Sequence, residues 1–209
     1  MKKIMDKLFN TVRFDKKYVF FALIIVILGI ITGSLFIVIL KSTDKALVIE
    51  YIESFIENIK NNKINYLDIF KNTIIINYII IIVISIIGFT YFFFPINTLI
   101  LFYKSFIIGF SLGSFILTYK LKGLLLSVIY IFPHLIINIV LFAILTAYST
   151  KLSLSMIGNI IKKKNVNMRE YFNKYLYIII MFIILITISS LYESFISTFL
   201  IKSITNLLF

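Results

Sequence analysis

The only histidine of the chain, His134, directly follows Pro133 and precedes Asn138 by four residues, in the stretch IFPHLIIN. An imidazole in an apolar run is suited to passing protons near neutral pH. Ionisable groups inside membrane segments often mark relays and ion paths. Two more such residues lie in apolar surroundings, Lys104 in LFYKSFIIGF and Glu193 in SSLYESFIS. The competing reading of residues 133 and 134 is one of shape. Pro133 cannot donate to the carbonyl four residues back, so it kinks or loosens a helix. A neutral His134 then bonds to the freed carbonyl or to another helix, with Asn138 on the same face. No acidic residue stands at matching depth, which favours shape over relay. Catalysis has little support: with no cysteine and one histidine there is no nucleophile–base set, and HExxH, GxSxG and P-loop motifs are absent. The expectation is a non-enzymatic chain with no catalytic residues, no cofactor and no metal.

The elements that must hold these residues are membrane helices. Of 209 residues, 61% are hydrophobic and 14% charged, and mean hydropathy is +1.05. A soluble domain of this size lacks the interior to hide so much apolar surface. The expected fold is therefore all-α, a polytopic helical bundle in the lipid bilayer, read as one transmembrane domain over residues 1–209. The formal charge of +12 is topological on this reading, and no nucleic-acid partner is expected.

Residues 1–17 carry a net charge of +4, and an uncharged run of 23 residues, 18–40, follows. At about 1.5 Å per residue it reaches roughly 34 Å, enough to span the hydrocarbon. Its length and the lack of a small-residue cleavage site read as a retained span rather than a signal peptide. Further spans are expected at about 73–93, 98–118, 124–148 and 175–192. The 41–71 loop is electrically neutral and the 149–174 loop has a net charge of +5. Cytoplasmic loops collect Lys and Arg, so both basic segments belong inside. That gives five spans, amino terminus cytoplasmic and carboxyl terminus outside. Within the outer loop, residues 46–60 have helical period, apolar on one face with Glu50, Glu53 and Glu57 on the other.

Among the polar residues within spans, Lys104 either snorkels to the cytoplasmic headgroups or makes an interior contact. Ser105, Gly109 and Gly113 form a small-residue ladder behind it, and Gly29 and Gly33 a weaker one in the first span. Such faces let helices approach closely in lipid. Glu193 closes the last span near Lys120 and Lys122 in depth, either paired with them or with a partner, or solvated. Residues 193–201 either continue the last span or lie on the outer surface.

Together, Lys104 before the Gly109/Gly113 ladder, the Lys122–Gly123 turn, Pro133 midway along the next span, the basic inner loop and SSLYESFIS resemble the stage II sporulation protein M family. The resemblance runs from about Phe70 to Lys202 and is general in kind before that. Its order and spacing carry it, not one motif. Members of the wider family often have glycine where Leu135 stands and an acid where Asn138 stands, a departure that favours Pro133 as a determinant of helix shape. The resemblance implies a multi-pass protein of the bacterial cell membrane, at the septum and engulfing mother-cell membrane during endospore formation. There it would act as a non-enzymatic scaffold for two peptidoglycan hydrolases, stage II sporulation proteins D and P. The outer helix with Glu50, Glu53 and Glu57 is then the candidate partner surface, the alternative being that it rests on the outer leaflet. A rival class is the membrane subunit of an ABC-type transporter, using Lys104 and His134 beside a broken helix. With five spans and no evident inverted repeat, a transport path would need a second subunit or a homo-oligomer.

Overall fold

The computed structural model describes residues 16–61, 65–90, 94–161 and 168–208; residues 1–15 of the basic amino-terminal segment lie outside that part. Every element among the described residues is helical: α1 (Lys16–Ile39), α2 (Ser42–Lys60), α3 (Tyr66–Gly88), α4 (Phe94–Ile161), α5 (Met168–Leu191), a π-helical turn (Tyr192–Ser197) and α6 (Thr198–Leu208). Five stretches are long and apolar enough to cross a membrane, the third (Pro95–Ile129) and fourth (Leu135–Ile157) both lying on α4, which breaks at Lys120. The architecture is a polytopic helical bundle.

α1 is apolar on every side, and only Ala22, Val26, Gly29, Gly33 and Ile37 are buried. Their spacing of three and four makes one narrow stripe toward the bundle. Phe20, Ile27 and Leu35 point away from it, as a lipid-facing helix requires. α3 starts where the Asn65 side chain accepts from the Leu67 amide at 3.0 Å, meeting one of the unpaired donors of a helix start. Asp68 in its first turn suits the positive end of the helix dipole.

Lys120 divides α4 into a first arm, 94–119, and a second arm, 121–161. Its φ of 53° is the one positive value at a non-glycine residue among those described. The chain reverses so sharply that a Cβ on Gly123 would collide with the Phe115 carbonyl oxygen. Gly123 is thus required for close approach, while the strained dihedral falls on Lys120. Lys120→Gly is expected to stabilise the protein by about 1 kcal/mol, because glycine adopts positive φ without a Cβ clash. Thermal unfolding in detergent measures it; an unchanged or lower midpoint would contradict this account.

The structure changes the sequence reading at the 149–174 loop and decides its open point at residues 193–201. α4 continues to Ile161, so much of the 149–174 loop is helix. Leu152 and Met156 explain this, since both pack with Tyr175 in a small satellite core. Of the two readings of residues 193–201, continuation of the last span holds: the helical run goes through the π turn into α6, with Ile201 and Thr205 buried. Finally, the apolar face of α2 is used within the molecule. Ile52, Ile56 and Ile59 join the same core as Ala22, Val26 and Ile201, leaving that face neither for a leaflet nor for a partner. The three glutamates of α2 remain exposed.

Candidate functional site

The two small-residue ladders meet each other. Gly29 lies against Ser105 and the Phe102 carbonyl, Gly33 against the backbone of Phe106 and Phe110, Gly109 against Ile30, and Gly113 against Ser34 and Ile37. Register rises together on both helices, so α1 and the first arm of α4 run parallel, as the first and third spans must. This close seam fixes the rotation of the first arm. Ser105 is turned into the seam with its hydroxyl donating to the Leu101 carbonyl at 2.7 Å.

With that rotation set, Lys104 points into the bundle. Its Nζ donates to Asn77 Oδ1 at 3.3 Å and lies 5.6 Å from the centre of the Phe142 ring, within cation–π range. A cation at mid-span costs about 2.5–3.5 kcal/mol on insertion scales, and these contacts offset part of that. Glu193 adds to them, since the two side chains lie in each other's electrostatic field. Thr73, one turn before Asn77 on α3, donates to Glu193 Oε1 at 3.2 Å. Lys104 is thus a cation whose field reaches Glu193.

Glu193 sits in the π turn. The extra residue per turn widens the backbone there, and Thr198 Oγ1 donates to the Glu193 carbonyl at 3.3 Å. Phe195 stacks on Tyr66 with centroids 6.2 Å apart, holding the turn against the start of α3. Single π turns within α-helices frequently mark functional positions. Above the charge pair lies a cavity of about 530 Å³. Leu47, Tyr51 and Phe55 of α2 line it from one side, Phe110 and Ser114 of α4 from another, and Glu193 also borders it.

A second polar layer ties α3 to α4 and α5 nearer the other end of the bundle. Asn97 and Ser149 hydrogen-bond each other, Ser149 also donates to the Ile84 carbonyl at 3.0 Å, and Ser153 donates to the Thr90 carbonyl at 2.7 Å. A Cβ on Gly88 would meet the Tyr175 hydroxyl and Ser149. Ile81, Leu101, Leu145 and Ile186, each at most 1% exposed, lie along their helices between the two layers.

Pro133 and His134 are placed only by backbone, which remains helical through them; their side chains lie outside the described part. Asn138, four residues on, is buried, and its Oδ1 has no hydrogen-bond partner. It shares a face with Phe142, the ring under Lys104. Sequence reasoning passed over Thr73, Asn77 and Phe142. Asn77 had a signal: a lone amide in INYIIIIVIS must find a partner once buried.

A family profile described as Stage II sporulation protein M matches residues 20–198. This chain belongs to the stage II sporulation protein M family. The match takes in α1 and α2, where the sequence resemblance was only general, and extends through the π turn carrying Glu193. No curated protein and no solved structure matches the chain. Family membership and the five apolar stretches together make it a multi-pass membrane protein related to sporulation.

Proposed function

We propose that this chain is a non-enzymatic membrane anchor for peptidoglycan hydrolases, stage II sporulation proteins D and P, at the septum and engulfing mother-cell membrane. The observation that carries the reading is the family match over residues 20–198, which includes the outer helix as well as the bundle. The structure supports it in kind. α2 is clamped to the bundle through Ile52, Ile56 and Ile59, so its exposed acidic face is held at a fixed place on the side assigned to the wall. The transporter reading finds less support, because fully buried Ile81, Leu101, Leu145 and Ile186 pack between the two polar layers.

The test is a tagged pull-down from gently solubilised membranes of the native host early in sporulation, with partners identified by mass spectrometry. Recovery of the two hydrolases is the expected result. Recovery of an ATPase subunit in their place would overturn the anchor reading in favour of transport.

A further inference from the structure

The cavity mouth and the acidic stripe share one edge of α2. At 100° per residue, Leu47 and Tyr51 fall between the buried isoleucine face and the line of Glu50 and Glu57. Leu47 is 64% exposed and Tyr51 71%, although both line the cavity. An apolar opening thus stands beside two exposed carboxylates, Glu50 and Glu57, with Glu53 farther round the helix. Lys45 falls on the isoleucine side of α2, away from these carboxylates, and its Nζ donates to the Val38 carbonyl at 2.9 Å, capping the end of α1.

We propose that this edge of α2 receives an extracytoplasmic protein segment that carries an uncharged apolar anchor side chain flanked by lysines or arginines. The anchor enters the cavity beside Tyr51 and Phe55, and the basic residues face Glu50 and Glu57. Charge decides both parts. The stripe is acidic and exposed, so it selects a basic rim. The cavity lining is mostly apolar, with Leu47, Phe55, Phe110 and Leu135 among it, so a buried cation would lose its hydration there without enough polar partners. Hence the anchor is neutral. A buried apolar anchor within a polar rim is the usual arrangement of strong contact sites. The inference rests on the anchor reading, for which it supplies the chemistry of the partner.

The experiment places a photo-crosslinking residue at Leu47 or Tyr51 of the full-length protein in the sporulating native host, with Ile79 on the lipid-facing side of α3 as control. Crosslinked peptides are sequenced, and the hydrolase pull-down is run in parallel. Expected are adducts from 47 and 51 but not 79, to a segment with an apolar residue within one helical turn of two or more basic ones. The double variant Glu50→Lys/Glu57→Lys should reduce that adduct at least tenfold at unchanged protein level, since both positions are exposed. Adducts to lipid alone, to a segment without basic residues, or insensitive to charge reversal overturn the proposal. If the hydrolases are still recovered in that case, only the docking edge fails. A basic segment captured from another protein, with no hydrolase recovered, supports the edge and overturns the anchor reading.

Discussion

Gly109→Ala and Gly33→Ala are each expected to destabilise the protein by about 2–3 kcal/mol, toward the upper end of the usual cost of overpacking. At both positions an added Cβ runs into backbone on the facing helix, the Ile30 carbonyl for Gly109 and the Phe106 carbonyl for Gly33. Backbone in a helix cannot step aside as a side-chain tip can. The seam must therefore open along its length, and van der Waals contact is what holds helices together in lipid. Gly113→Ala serves as the internal comparison. Its nearest neighbours, Ile37 Cγ1 and the Ser34 oxygen, would be 3.1 Å away, so a shift of a few tenths of an ångström suffices and the loss should stay below about 1 kcal/mol. The double change Gly109→Leu/Gly113→Leu should abolish the folded species. Denaturant titration in mixed micelles with a helix-content readout measures the series. Equal stability of Gly109→Ala and wild type would show that α1 does not pack here.

The same seam explains why parts of the site were legible in sequence and others were not. Spacing by four exposes a small-residue face to any reader, so Gly29, Gly33, Ser105, Gly109 and Gly113 could be chosen without knowing which helices meet. Loop charge was equally readable, because its topological meaning depends on composition alone. Partner choice depends on rotation, which no single helix encodes. Lys104 could snorkel or turn inward, and only its position on the side of the first arm next to the α1 seam decides for the interior. Thr73 and Asn77 are ordinary residues until Glu193 and Lys104 are brought to them. The π turn has no local signature either, since Tyr192–Ser197 contains no glycine or proline. Its stabilising contacts, Phe195 on Tyr66 and Thr73 on Glu193, come from α3, more than a hundred residues away in sequence.

Lys104→Met alone is expected to cost about 3 kcal/mol of stability, and Glu193→Gln a similar amount. Removing one member of a buried pair strands the other charge in low dielectric, and losses of roughly 3–5 kcal/mol are usual in such cases. The two changes differ in what survives. A glutamine side chain keeps a carbonyl oxygen for the Thr73 hydroxyl, so Glu193→Gln removes charge and little else. Lys104→Met preserves the length and apolar stem packed along Phe142 but gives up the hydrogen bond to Asn77. The double variant Lys104→Met/Glu193→Gln should therefore lose less than the sum of the two, recovering about 1–3 kcal/mol as coupling energy, the range found for residues sharing one network. A full double-mutant cycle in the micelle assay gives that number directly. Strict additivity would mean that the charges are balanced separately, Lys104 by Asn77 and the ring, Glu193 by Thr73. Strong coupling would make the pair a single unit joining the first arm of α4 to the π turn.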